Sequence, residues 1–277
     1  MTSIDPQTAQ SRDTLVAAMA RLVPAGALCV QGLSTPLATA ALMLAKAVHS
    51  PDVVILYTDG GVVSSHVRPV SLTGSTRQAV EGAQRRITFE ELITELVPTY
   101  QPMEFMRPAQ LDATGSSNNV LIAREQGDIT LPGSAGIGDA TSVNGRLLYY
   151  LPRHDRRTLV ERVDFRSGAG RLAGDDAALP SVPIGVVTEL CTFRFEADGA
   201  AVLQERQRPV AEILARTGFS LEGTDDGVPT TAPPTEEERT ALEWIDPHRI
   251  RDLEFLSAAE RRERIRSLLR IEEEMAT

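Results

Sequence analysis

Residues 53 to 57 read VVILY, an unbroken apolar run that stops at Thr58-Asp59-Gly60-Gly61. A strand with one face in water alternates apolar and polar side chains. A run without that alternation is buried on both faces, as in a parallel sheet covered by helices. The stretch before it supplies such a cover, because Pro36 opens the Ala-rich segment LATAALMLAKAVHS, which reads as a buried helix. Helix, buried strand and a Gly-rich stop in that order point to an open α/β sheet.

The alternation continues to about residue 222. After a frayed stretch over residues 1–12, Asp13 is placed to cap a helix. Its apolar positions Leu15, Val16, Met19, Leu22 and Val23 recur at helical spacing up to Pro24. Ala27 to Val30 is a short strand. Thr88 and Glu91 form a capping box for ITFEELITELV, MEFM at 103–106 is a strand, and ITLPGSAGIGD at 129–139 sets three glycines after another. LLYYLP and the run Val160 to Phe165 read as strands, SVPIGVVTELCTFRFEADG as a hairpin or edge pair, and VAEILARTGFSL as a helix stopped by Gly218.

The expected organisation is an α/β domain over 13–222, a Pro/Gly/Thr/Asp connector over 223–234, and a helical tail over 235–277. In the tail, Thr235 and Glu238 form a capping box, and Ser257 starts a charged helix with a narrow seam of Ala258, Ile265, Leu268, Leu269 and Met275. Such a seam suits docking to another subunit. Deleting 254–277 is expected to leave the domain folded.

Charge and composition narrow the function. With 28 Lys plus Arg against 38 Asp plus Glu, the net charge of −10 repels a polyanion, and aromatics at 4% leave little for base stacking, so nucleic acid is not the expected partner. Cys29 and Cys191 both lie in apolar runs and build neither a disulfide framework nor a Cys-rich zinc site, which fits a reducing cytoplasm and no metal. The polar start MTSIDPQTAQSRD has no apolar signal core, and the most apolar stretch, 15–30, is broken by Arg21 and Pro24, so neither export nor membrane spanning is expected.

Two loops are candidates for chemistry. Thr58, Asp59 and Gly60 end a buried strand, at the carboxyl edge where open α/β sheets bind ligands, although an Asp-Gly turn explains the same residues. Gly133, Ser134, Ala135, Gly136, Ile137 and Gly138 offer backbone N–H groups for close approach of a thioester or phosphate, or are simply a tight loop. Neither GK[ST] nor GxGxxG is present, so a nucleotide-triphosphate or dinucleotide site is unsupported.

Order along the chain is more specific than either loop. GLSTP at 32–36, TDGG at 58–61, AQLDATGSSNN at 109–119, GSAGIGD at 133–139, HDRR at 154–157, VDFRSGAG at 163–170, VVTELCTFRFEADG at 186–199 and WIDPHRIRD at 244–252 form a series. That series resembles the β subunits of family I CoA-transferases, glutaconate CoA-transferase-like in type. TDG, VDFRSGAG and IDPHRIRD also resemble the β subunits of actinobacterial steroid ring-opening acyl-CoA hydrolases. The resemblance covers about residues 13 to 252. It implies an open, mostly parallel sheet with flanking helices (CoA-transferase, NagB/RpiA-like), an α-subunit partner, and a coenzyme A thioester as substrate with no tightly bound cofactor.

The resemblance also implies roles for residues. Family transferases attack the thioester with a β-subunit glutamate. Here Thr58 stands at that position with Asp59 beside it. Gln110 and Asn118 match the family's Gln and Asn, and Gly133 to Gly138 match the loop along the thioester, with Ala135 in place of a glycine. His154 and Arg157 are expected to be structural or interfacial. Loss of the glutamate favours hydrolysis or carbon–carbon cleavage over transfer. A true transferase using Asp59, a glutaconyl-type decarboxylase, and a catalytically silent partner subunit are the alternatives.

Overall fold

The computed structural model describes residues 5–59, 61–72, 80–170, 183–196, 199–225 and 227–276. The chain divides into two compact units, Met1–Phe89 with Pro233–Thr277, and Glu90–Ala232.

In the first unit, the helix Pro6–Arg21 starts earlier than the sequence predicts. Pro6 suits the first turn, and the Asp5 side chain accepts from Thr8 N at 2.9 Å. Asp13 therefore sits inside the helix rather than at its cap, and its carboxylate accepts from Arg251 Nη2 at 2.8 Å and Arg249 Nη2 at 3.2 Å. Strand β1 (Leu28–Gln31) leads to the helix Pro36–Leu44, buried from Leu37 onward, which runs on as a π turn over Ala45–His49. Lys46 ends it by donating to the carbonyls of Pro51 and Val53, the latter at 2.7 Å. Strand β2 (Val54–Tyr57) then pairs parallel to β1, Cys29 opposite Ile55 and Gln31 opposite Tyr57. Strands β3 (Val62–Ser64) and β4 (Arg85–Arg86) add an antiparallel edge.

The C-terminal residues are built into this unit. The helix Glu236–Ile245 has the expected capping box. The Glu238 side chain, 0% exposed, also accepts from Arg21 Nε and Nη2 at 2.9 and 2.6 Å and meets His49 Nε2 at 2.9 Å. These partners hold its carboxyl at about 2 against its burial, which acts the other way. Asp246 accepts from Ile250 N at 2.7 Å and Arg251 Nη1 at 2.8 Å. All six residues of the 3-10 helix Ile250–Phe255 are buried, and the Glu254 carboxylate accepts from Leu37 N at 2.9 Å, at the start of the helix Pro36–Leu44. Residues 235–256 thus belong to the first unit, with Glu238, Leu242, Ile245, Asp246 and the 3-10 helix buried, and the two units part at 232/233. Arg21 and Leu37 each lie 217 residues from their partners Glu238 and Glu254, which no local pattern reveals. The charged helix follows as Ala258–Ala276, with Leu268 at 1% exposure and Leu269 at 46%.

In the second unit, β5 (Met103–Met106) and the short strands β6 (Gln110–Leu111), β7 (Ser117–Asn118), β8 (Leu121–Ile122) and β9 (Ile129–Thr130) precede β10 (Arg146–Leu151), β11 (Pro183–Thr188), β12 (Cys191–Phe195) and β13 (Ala201–Arg206). β5, β10 and β11 run parallel, and β12 and β13 continue antiparallel, so the predicted hairpin forms. The α/β class with a mostly parallel open sheet and flanking helices is the one observed. The core gathers Tyr149, Leu159, Val186, Phe193 and Ile213, with Phe193 edge-on to Phe195 and Phe219. Gly218 follows the helix Val210–Arg216 as predicted, since a Cβ there would lie 2.2 Å from the Leu159 carbonyl oxygen. Val160 to Phe165 is not a strand. After Leu159 bridges Leu111 and Val160 N donates to the Leu111 carbonyl at 2.9 Å, the amides of Val163 and Asp164 turn to side chains, Asp164 N donating to Gln110 Oε1 at 3.1 Å.

Glu104 on β5 is buried, with Asn144 Nδ2 donating to it at 2.7 Å, and burial pushes its carboxyl up to about 7. The folded state therefore keeps a proton that the unfolded chain releases above its ordinary 4.5, and this contribution to stability is lost as pH rises through 7. Glu104→Gln should leave stability near pH 4.5 unchanged and raise it by about 3 kcal/mol at pH 9, checked by urea melts at both values. Equal curves at pH 9 would show that the carboxyl is already relieved.

Candidate functional site

The carboxyl ends of β1 and β2 lie side by side, and the loops beyond them enclose a cleft lined by Gln31, Ser34, Tyr57, Asp59, Arg68 and Met43 among others. Ser34 holds a left-handed turn at φ 55. Thr58 donates its hydroxyl to the Gln31 carbonyl at 2.9 Å, and its N–H faces the same oxygen at 3.4 Å. The only hydroxyl proton of Thr58 is thus held by backbone, which suits a spacer between strands and not a nucleophile. Asp59 follows on the cleft wall. Gly60 lies outside the described residues. Gly61 is required as glycine, since φ is +57 and a Cβ would sit 2.7 Å from the Ile87 carbonyl oxygen.

Two cleft residues were not anticipated from sequence. Tyr57 is 0% exposed, and the Arg68 guanidinium carbon stands 4.1 Å from its ring centroid. Burial pushes the Tyr57 phenol up, while the Arg68 charge pulls it back down. Gln31 Nε2 donates to Thr39 Oγ1 at 3.3 Å, because the Thr39 hydroxyl itself donates to the Thr35 carbonyl at 3.0 Å. The Gln31 Oε1 is left buried with no hydrogen-bond partner among the described residues. Arg68 comes 11 positions after Tyr57 beyond a separate strand, so no periodicity pairs them.

Gln110 and Asn118 come together across the β6–β7 pair. Asn118 Nδ2 donates to Gln110 Oε1 at 2.7 Å and to the Leu121 carbonyl at 2.5 Å, while its Oδ1 accepts from Val120 N at 2.9 Å. Gln110 Nε2 donates to Asp164 Oδ2 at 2.8 Å, an oxygen that Ala123 N also reaches at 3.1 Å. The two amides are therefore buried supports that fasten the 120–123 and 164 segments. The neighbouring Asn119 carbonyl accepts from Gly133 N at 3.1 Å, which hangs the glycine loop on this support. In that loop Gly133 has φ +112 with open space at its Cβ position, and Ala135 has φ +45. The left-handed backbone of a glycine is kept at Ala135, at an expense of about 1 kcal/mol. Ile137 N turns back to the Ser134 carbonyl at 2.9 Å and starts the helix Ile137–Val143. Ser134, Gly136 and Gly138 complete the turn.

His154 is 1% exposed, with Nδ1 3.0 Å from Thr188 Oγ1 and Nε2 2.9 Å from Thr217 Oγ1. The Thr217 hydroxyl also donates to the Ile213 carbonyl at 2.8 Å, and the Thr188 hydroxyl to the Cys191 carbonyl at 3.0 Å. Burial lowers the imidazole to about 4, so it stays neutral and structural. Arg157 is exposed and pairs with Asp155 at 3.1 Å. Among the described residues no group of three or more His, Cys, Asp or Glu is arranged to hold a metal, and no helix is long and apolar enough to cross a membrane.

No family model matches the chain. Over 247 residues, 85% of this chain and 93% of the relative, it is 26% identical to a subunit of the 3-oxoadipate CoA-transferase of Pseudomonas knackmussii. The crystal structure of the decarboxylase AibA/AibB, in a variant form, superposes with a TM-score of 0.75 at 26% identity, covering 87% of this chain and 97% of that one. The chain is thus similar to family I CoA-transferase β-like subunits. Two further structures share its fold. Glutaconate coenzyme A-transferase from Acidaminococcus fermentans aligns at TM-score 0.74 and 18% identity, over 86% of this chain and 95% of its own. IpdAB from Rhodococcus jostii RHA1 aligns at 0.73 and 19%, over 88% and 97%. At those identities the likeness extends to the fold alone.

Proposed function

We propose that this chain is the β-type subunit of a heteromeric enzyme that turns over an acyl-CoA thioester by hydrolysis or carbon–carbon cleavage. The observation that carries the reading is the Thr58 hydroxyl, held by the Gln31 carbonyl at 2.9 Å, at the position that the family resemblance gives to the attacking glutamate. A glutamyl anhydride cannot form there. In the hydrolytic version, water adds to the thioester carbonyl, the C–S bond breaks, and the thiolate takes up the proton. Thr58 and Asp59 orient water or substrate; in the other unit the loop Gly133 to Gly138, whose Gly133 and Ile137 amides are already engaged, offers its remaining amides to a thioester, and Gln110 and Asn118 keep that loop in place. An α-type partner supplies the acid/base carboxylate. The name of the AibA/AibB relative, a decarboxylase, supports cleavage of a carbon–carbon bond.

Transfer is the second reading. It is favoured by the Asp59 carboxylate on the cleft wall and by the name of the Pseudomonas relative. An aspartate is one methylene shorter than the family glutamate, which changes the angle of attack.

The two readings separate in one experiment on the chain co-purified with an α-type subunit. Free CoA, CO2 and transfer to acetate are scored separately, and borohydride trapping is followed by mass measurement of the peptide over residues 52–66. The expected result is free CoA or CO2, an unmodified peptide, and no turnover by the isolated chain. Acetyl-CoA formation with a reduced or CoA-bearing Asp59 would establish transfer instead. A complex inert towards every acyl-CoA would make this a silent subunit.

A further inference from the structure

We infer that the outward arginine row of the helix Ala258–Ala276 docks on the acidic helical surface of residues 90–100 in a second copy of this chain, and so joins two β-type chains. The contact goes beyond the acyl-CoA reading and does not depend on which reaction the subunit serves.

The inner side of this helix is fastened to its own unit. Arg261 Nε donates to the Leu253 carbonyl at 2.9 Å, Arg264 Nη2 donates to the His248 carbonyl at 2.7 Å, and Leu268 is buried. The opposite side is thereby fixed outward. It carries Arg262, Arg266 and Arg270, all exposed, with Leu269 at 46% exposure among them and Glu263 as the exposed acid beside them. The three arginines recur at every fourth position, a spacing at which like charges oppose the helix that holds them. No carboxylate among the described side chains pairs with any of the three. Such a row becomes favourable when carboxylates lie across it, and a chain with a net charge of −10 offers them.

The matching surface lies at residues 90–100. Glu90 and Glu95 are exposed there, and so are Ile93 at 50% and Tyr100 at 63%, which leaves apolar side chains uncovered beside the acids. Leu269 is the apolar side chain that the arginine row brings to them. One arginine row laid on another would repel, so the contact joins two different surfaces, and a two-fold pair of chains makes it twice. The family series ends at Asp252, and the AibA/AibB relative is matched over 97% of its length by 87% of this chain. The helix Ala258–Ala276 lies past that series. Pairing with an α-type subunit belongs to the shared part of the fold and does not call for this addition, which is why a second copy is the occupant.

The full-length chain is studied by sedimentation, alone and co-purified with an α-type subunit, as wild type, as Arg262→Glu/Arg266→Glu/Arg270→Glu, and as Glu90→Arg/Glu95→Arg. The wild type alone should have twice the mass of one chain, and its dimer should weaken as salt is raised. Each reversed variant should raise the dimer Kd by about 30-fold or more. Mixed in equal amounts, the two variants should restore the double mass, because each reversed surface then meets its complement. The α-type subunit should co-purify with both variants as with the wild type. If a reversal fails to fold, Arg266→Gln keeps the test readable, with an expected rise in Kd of about fivefold.

A wild type of single mass would overturn the inference, as would a dimer indifferent to all three variants or a mixture that stays at single mass. Loss of the α-type subunit from the arginine variant would overturn it too, by assigning the row to that partner.

Discussion

Glu238→Gln should lower the stability of the unit formed by residues 1–89 and 233–277 by about 1–2 kcal/mol at pH 7, because it leaves the partly exposed Arg21 beside a neutral group in place of a buried carboxylate. The carboxylate joins three segments, meeting Arg21 and His49 while closing the cap of its own helix through Thr235 N at 2.7 Å. The pH dependence provides the control. With a folded value of about 2 against an ordinary 4.5, the ionised Glu238 contributes fully above 4.5, and the contribution is lost as pH falls through 2. The gap between wild type and variant should therefore shrink steadily below pH 4.5. Trp244, the single tryptophan, lies in the same helix and reports urea melts of this unit by fluorescence. A gap that stays constant from pH 7 to pH 3 would mean that shape, and not charge, is what Glu238 supplies.

Removing residues 254–277 should abolish the cooperative melt of the same unit. The deletion takes Glu254 from the amino end of the helix Pro36–Leu44, Phe255 from beneath the Arg12 guanidinium 4.6 Å away, and Leu268 from burial at 1% exposure. Loss of a buried Phe alone costs about 3–5 kcal/mol, and a whole domain has about 5–15. A shorter deletion of 258–277 keeps Glu254 and Phe255 and should lose about 2–3 kcal/mol while melting cooperatively. Two similar melts within about 2 kcal/mol of the wild type would return these residues to the status of an appendage.

Much of the scaffold was legible along the chain because it is written at short range. The apolar run ending at Tyr57, the Pro36 start, the Thr235/Glu238 capping box and the Gly218 stop each depend on neighbours within a few residues, and each is observed. The same reasoning placed a cap at Asp13 and a strand at Val160 to Phe165. The first failed because the helix starts earlier, at Pro6 with Asp5 as its cap, which leaves Asp13 inside the helix to pair with Arg249 and Arg251; the second failed because the side chains of Gln110 and Asp112 take the amides of Asp164 and Val163. The Thr88/Glu91 signal did introduce helix, but broken into Phe89–Glu91, a π turn over Leu92–Leu96, and Val97–Tyr100.

For the candidate site, residue order sufficed to suggest both loops and the family resemblance, because strand ends and Gly-rich turns follow one another in a fixed sequence along an α/β chain. What those residues do with their hydrogen bonds belongs to the tertiary structure. Thr58 carries a hydroxyl in any conformation, and only the parallel pairing of β1 with β2 brings the Gln31 carbonyl within 2.9 Å to occupy its proton. Gln110 and Asn118 look like ligand contacts in a list of polar loop residues. Folding turns them inward, where unpaired amides would be expensive, and they bind each other and Asp164. Arg68 has no sequence signal at all. Its meaning arises from the face of Tyr57, a surface that exists once β2 and the helix Pro36–Leu44 have packed.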